Sequence, residues 1–216
     1  MNHKNEQQAA VEHFPEDIKK HQLIIFKDEG LYRHIRMARP GTNNMSFDIV
    51  TWPGHLAYSG DMGCYVFSRI TDMFMFFTPE GSRRINPGYW AEKLQAADKN
   101  DGYKKYSPEI FRSIVEEELQ GYCEDLSPGD ANELRIWVED EVLSAADDGA
   151  WAAHQAARDF RWHNKEVFRD FWEHSLDEYS YRYIWCCLAI VHTVEAYRFL
   201  KTLEAVKADS KVKEAL

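Results

Sequence analysis

Three features of the chain predict an α+β fold, with a small N-terminal antiparallel β-meander packed against a mainly α-helical C-terminal two-thirds. Residues 47–69 read as three short β-branched and aromatic segments, split by Pro53-Gly54 and by Gly60-Asp61-Met62-Gly63. Proline fixes φ and glycine frees it, so both pieces punctuate strands. Residues 31–39 alternate, with Ile35 and Met37 on one side and His34 and Arg36 on the other, which is the period of a half-exposed strand. From Ser107 onward the apolar residues instead recur three and four apart, behind N-cap and proline start signals.

Taken in order, residues 1–30 form a lead-in. It holds a short helix over residues 6–13 stopped by Phe14-Pro15, a short buried strand over residues 22–27, and a turn at Asp28-Glu29-Gly30. Residues 31–100 hold the sheet, with about four meander strands up to Phe67. Asp72 opens a helix whose Met73, Phe74, Phe76 and Phe77 face that sheet, ended by residues 78–81. A further helix over residues 89–98 carries Trp90 and Leu94 on one side. Residues 101–205 are helical. Ser107-Pro108-Glu109 starts a helix with the stripe Phe111, Ile114, Val115, Leu119 and Tyr122. Asp130 and Glu133 resemble a capping box ahead of Leu134, Trp137 and Val138. Asp147-Asp148-Gly149 interrupts, and one or two helices fill residues 151–174. Ser175 and Glu178 cap a final helix bearing Tyr183, Cys186-Cys187, Ile190 and Val194, and residues 206–216 fray. All 216 residues are read as a single domain.

Apolar residues make up 44% of the chain and aromatics 14%, which predicts a core filled largely by rings. Cys64, Cys123, Cys186 and Cys187 have no C-x-x-C spacing, so neither a zinc site nor a disulfide framework is predicted. The first ten residues are polar, and the longest apolar run, residues 183–191, is about half of a membrane span. These features predict a cytoplasmic, reduced protein with no membrane contact and no cofactor. The formal net charge of −10 is unevenly placed. Residues 1–100 hold 12 basic and 12 acidic side chains, whereas residues 101–216 hold 14 and 24. Residues 109–148 alone have 13 acids against Arg112 and Arg135. Such a block repels phosphates, which speaks against nucleic acid, and attracts basic protein surfaces.

No P-loop, dinucleotide-binding, nucleophile-elbow or H-E-x-x-H motif is present. Three constellations carry chemistry-bearing residues. Asp48, His55, Asp61 and Cys64 lie in the meander, where strand ends could assemble an acid–base site, although turn chemistry accounts for Asp61 and a surface position for His55. His163, Glu166, Asp170, His174 and Asp177 fall on one face of a helix, opposite Phe168, Phe171, Trp172 and Leu176. Their His-x-x-acid pairs suit metal ligation, but eleven helical residues separate the pairs by about 16 Å, so they cannot share one ion and a solvated polar face is the better reading. Arg33, Arg36 and Arg39, with Tyr32 nearby and Arg83-Arg84 later, could hold single-stranded nucleic acid, against which stands the overall pI of 5.4.

The strings Trp52-Pro53-Gly54-x-Leu56, Gly60-Asp61-Met62-Gly63, Val66-Phe67-x-Arg69, Asp72-Met73-Phe74, Ile85-Asn86-Pro87-Gly88-Tyr89-Trp90 and Ile184-Trp185-Cys186-Cys187 resemble a family of uncharacterised accessory proteins. These are encoded by prophages and tailed phages of proteobacteria. The resemblance spans residues 31–192 and implies a phage accessory protein inside the bacterial host, with no activity to carry over. Together with the acidic block, it leads to the expectation of a binding protein that inhibits a host nucleic-acid-handling or defence complex. Glu116, Glu117, Glu118, Glu124, Asp125, Glu139, Asp140 and Glu141 are its expected contact residues for a basic host or phage partner. A homo-oligomer is compatible with this reading. The alternative class is a hydrolytic or metal-assisted enzyme built on His55 or on the His163/His174 face.

Overall fold

The computed structural model describes residues 6–78 and 84–214, with side chains as far as Ser210. Arg83 and most of the expected stop at residues 78–81 lie outside the described residues. In place of one continuous domain the chain forms two compact units. Unit 1 comprises Met1–Tyr103 and Tyr179–Leu216, and unit 2 is Lys104–Glu178.

Unit 1 is built on a six-stranded sheet whose strands follow chain order: β1 (Gln22–Glu29), β2 (Tyr32–Ala38), β3 (Phe47–Trp52), β4 (His55–Gly60), β5 (Gly63–Ser68) and β6 (Leu94–Ala96). All neighbours are antiparallel. The expected meander is therefore present and two strands larger. The expected helix over residues 89–98 is instead α3 (Pro87–Ala91), capped by Asn86, followed by β6. The free edge of β5 captures the chain, with the Ser68 amide donating to the Lys93 carbonyl. An edge strand with unpaired backbone groups outweighs a weak local helix preference.

Two helices cover the inner face of this sheet. The first, α1 (Glu6–Ile18), continues through Pro15 where a stop was expected. Ala10, Phe14 and Ile18, four residues apart, are all buried, and that continuous stripe outweighs the lost backbone hydrogen bond. The last helix, α7 (Tyr181–Glu214), starts after Ser180 rather than Ser175, and the stretch expected to fray is helical as far as Glu214. Ser180 Oγ accepts from the Tyr183 amide, and its carbonyl accepts from the Ile184 amide. Every residue from Tyr183 to Val191 is buried, so this part of α7 is the centre of the core. Trp185 meets Phe14 and Phe47 edge-on at 5.1 and 5.8 Å between ring centroids. The single-turn helix α2 (Met73–Phe76) adds Met73 and Phe74 to the same core, with Phe77 beside them.

The β4–β5 turn shows how closely the strands approach. A Cβ on Gly60 would fall 2.5 Å from Phe47 Cβ, against the backbone of Ser46. Gly60→Ala is expected to cost about 1–3 kcal/mol by overpacking, measured by urea unfolding. Gly121→Ala, on a helix with open space around it, is expected instead to gain about 0.5–1 kcal/mol. Equal effects at the two glycines would remove the steric account.

Unit 2 is mainly helical. β7 (Lys104–Tyr106) and β10 (Asp177–Tyr179) pair where the chain enters and leaves it. α4 (Pro108–Cys123) has the expected Ser107 cap, and Phe111, Val115 and Leu119 are buried. α5 (Pro128–Glu141) starts three residues before the expected box. Ser127 Oγ accepts from the Asp130 amide and donates to the Asp130 carboxylate, with Pro128 at the first helical position. A 3₁₀ segment, Leu143–Asp148, leads through Gly149 (φ 99°) into α6 (Ala150–Asp159). No helix follows. β8 (Arg161–Trp162) and β9 (Lys165–Glu166) form a hairpin closed by His163 and Asn164, whose φ values are 47° and 64°. Two successive left-handed residues define the tight turn that suits strand twist. A second 3₁₀ turn, Phe171–Glu173, follows Asp170, itself at φ 54°. Phe111, Leu134, Val138, Ala153, Ala157, Phe160, Phe168, Phe171 and Leu176 make up this unit's core.

Candidate functional site

Helix α5 spends little of its surface on the core. Ala131, Leu134 and Val138 are the buried stripe, and the rest of the helix faces solvent. Two large apolar residues lie on that solvent side, Ile136 at 62% and Trp137 at 48% exposure. Trp137 was expected inside with Val138, but one residue turns a helix by about 100° and carries it off the narrow stripe. Ile136 and Trp137 border a hollow of about 570 Å³ together with Arg135, Glu139, Asp140 and Ser144. An apolar floor with carboxylates on its rim is the arrangement of a small binding patch.

Of the expected contact residues, Glu139 and Asp140 border this hollow. Glu116, Glu117, Glu124, Asp125, Glu139, Asp140 and Glu141 are exposed and have no ion-pair partner among the described residues. Glu118 differs. It is half-buried, and its carboxylate lies 2.6 Å from His174 Nε2. Of the two arginines in the block, Arg112 is held by Asp147 at 2.8 Å. Unit 2 as a whole carries 19 acidic and 8 basic side chains, whereas unit 1 carries 17 and 18. The formal charge of the protein is thus located in unit 2.

The three constellations expected from the sequence do not assemble. His163, Glu166, Asp170, His174 and Asp177 share no helix, because residues 160–179 form a hairpin, a 3₁₀ turn and a strand. Glu166 pairs with Arg161 at 2.9 Å and His174 with Glu118. Among the described residues no group of three or more His, Cys, Asp or Glu side chains is placed to hold a metal. In the sheet, Asp48 pairs with Ser59, four residues along β4 from His55, which separates the two by roughly 13 Å. Asp48 instead binds His34 and Arg36, each at 2.8 Å. His55 stacks on Trp52 at 5.0 Å, and Asp61 accepts from the Met45 amide at 2.9 Å. Cys64 is exposed, in the same cross-strand row as Asp48 and Ser59.

The arginines also part company. Arg33 points to the inner face with Ile35 and Met37, where it is 9% exposed and holds Asp72 through both terminal nitrogens at 2.8 and 3.1 Å. Arg36 and the exposed Arg39 remain outside, and Arg84 pairs with Glu195. No helix among the described residues is long and apolar enough to cross a membrane. No family model matches the chain, and neither a curated protein nor a solved structure matches it significantly.

Proposed function

We propose that the protein works by binding another protein through the acidic surface of α4 and α5, with Ile136 and Trp137 as its apolar anchors. The observation that carries this reading is the exposure of two large apolar side chains among unpaired carboxylates. Aromatic residues at the centre of a contact supply most of its affinity, while charges around it set encounter rate and choice of partner. The partner is a basic protein with an apolar side chain to fill the hollow. The family resemblance supports a phage-borne accessory protein acting in its bacterial host, and a host nucleic-acid-handling or defence complex has a basic groove of the required sign.

The test begins with a partner captured from host cells and then purified. Association is measured at low and high salt with the wild-type protein, with a Glu116→Lys, Glu117→Lys, Glu124→Lys variant, and with Trp137→Ala. Glu118 is left intact because it holds His174. Reversal is expected to slow association about tenfold or more and to flatten its salt dependence. Trp137→Ala is expected to speed dissociation about tenfold or more, as removal of a central aromatic does. A partner whose rates ignore both changes would reduce this surface to a solubility feature.

A further inference from the structure

Among the described residues of unit 1, the helices cover one face of the sheet, and the other face carries rings. Register places Arg33 opposite Thr51 and Trp52 opposite His55, so Tyr32, Trp52 and His55 are cross-strand neighbours on β2, β3 and β4. Strand spacing sets them about 4.8 Å apart. Trp52 and His55 are already stacked, with an interplanar angle of 7°. One row away, Phe26 stands out of the irregularity between Ile25 and Lys27 and meets the His34 ring at 4.8 Å. Phe26 and Tyr32 are 59% and 52% exposed. Five rings therefore share one open surface.

Exposed arginines follow the ends of two strands of this surface, β5 and β2. Arg69 follows Ser68, which pairs with His55 in the Tyr32–Trp52 row, and donates its amide to Gly54. Arg39 lies at the opposite end of β2, beside a hollow of about 470 Å³ lined by Gln22, Ile24, Pro40, Gly41, Thr42 and Asn43. Both arginines are exposed and form no ion pair among the described residues. Between them Asp48 fixes His34 and Arg36, and Arg36 also reaches Asn43 and Ser46. The His34 row continues through Val50, Ala57 and Val66, and the next row holds Arg36, Asp48, Ser59 and Cys64, which breaks the continuous aliphatic face that sheet-on-sheet packing needs. The low pI, which argues against nucleic acid for the whole chain, belongs to unit 2, since unit 1 is balanced in charge.

We infer that the outer face of this sheet binds single-stranded nucleic acid, stacking bases on Trp52 and Phe26 and holding phosphates with Arg39 and Arg69. Every base has a π-face, so such a platform is tolerant of sequence, and a duplex cannot use it because its bases are already stacked. With few phosphates neutralised, the salt dependence is shallow.

The full chain is titrated with fluorescent dT and rU oligomers of about 15 nucleotides and with a duplex of equal length, at about 50 and 200 mM salt. Both single strands are expected to bind at least about tenfold more tightly than the duplex. Phe26→Ala, at a ring 59% exposed, is expected to weaken binding about 5- to 100-fold with an unchanged melting temperature, and Trp52→Ala to weaken it similarly while the protein stays folded by circular dichroism. Arg39→Ala with Arg69→Ala is expected to weaken it less and to flatten the salt dependence further. Trp137→Ala, on the other unit, keeps full oligonucleotide binding. No saturable binding at about 100 μM protein, equal affinity for duplex, or binding indifferent to both rings overturns the inference. So does a proline-rich peptide that binds in place of the oligomers and is lost in the same two ring variants.

Discussion

Trp185→Ala is expected to cost about 3–5 kcal/mol, the largest effect of any single truncation in unit 1. The indole is fully buried, with Phe14 and Phe47 at its edges, and its Nε1 donates to Asp17 at 2.9 Å. Alanine leaves a cavity where α1, α7 and β3 meet, and leaves the Asp17 carboxylate without that donor. Total stabilities of domains this size are about 5–15 kcal/mol, so the loss is a large fraction. Urea unfolding followed by far-UV circular dichroism reads it directly, and Trp185→Phe, which keeps most of the packing, is expected to lose about half as much or less. An alanine variant as stable as the wild type would show that the ring is not the keystone its contacts describe.

Asp72→Ala is expected to cost about 3 kcal/mol, the lower end for breaking a buried ion pair, because Asp72 is itself about a third exposed. Arg33 would remain on the inner face, its guanidinium over the Phe74 ring at 4.6 Å and near Tyr197, with no carboxylate to balance it. The same substitution removes the cap on α2, since Asp72 Oδ1 accepts from the Phe74 amide. Adding Arg33→Met is expected to recover part of the loss, as a methionine fits among Ile35, Met37 and Phe74 without a charge to desolvate. The pair also imposes a pH dependence. Burial raises the Asp72 carboxyl, but the Arg33 hydrogen bonds and the Phe74 N–H outweigh it and hold the group below its ordinary value. A carboxyl lowered in the folded state stabilises fully above its unfolded pKa of about 3.9 and loses that contribution as pH falls through the folded value. The stability gap between wild type and Asp72→Ala should therefore be constant from neutral pH down to about pH 4 and narrow below it. A gap that widens in acid would reverse the assignment.

Arg33 also shows what was legible in the sequence and what was not. The alternation that placed Ile35 and Met37 inside places Arg33 inside as well, since it is two residues from Ile35. Grouping it with Arg36 and Arg39 by charge ignored that period, and the partner that makes burial tolerable, Asp72, lies 39 residues away. The meander itself was readable because Pro53-Gly54 and the Gly60–Gly63 turn are local signals. Helix α4 was readable because Ser107-Pro108 and its stripe are local too. Residues 160–174 misled for the opposite reason. Phe160, Phe168 and Phe171 are spaced as on a helix, and the hairpin turn at His163-Asn164 uses two left-handed residues without a glycine to mark it. The acidic surface was visible in composition alone. Its apolar anchor was not, because Trp137 and Val138 are adjacent and only the folded helix decides which of them turns inward.

The insertion of unit 2 between β6 and α7 has a consequence for the order in which the protein comes into being. The chain leaves unit 1 at Tyr103 and rejoins it at Tyr179, and the next residue, Ser180, donates its amide to the Tyr103 carbonyl at 3.1 Å. During synthesis, all six strands have therefore emerged from the ribosome before any residue of the helix that seals their inner face. Between them come the 75 residues of unit 2, a continuous segment that already contains everything its own core needs. At about 5–20 residues per second, the nascent sheet waits about 4–15 s with Phe47, Tyr58, Tyr65 and Phe67 uncovered by α7. On that schedule every residue of the inserted unit, with its excess of carboxylates, is synthesised before α7. Net negative charge disfavours association of like chains, so the excess of acids in unit 2 opposes contact between neighbouring nascent chains through that interval.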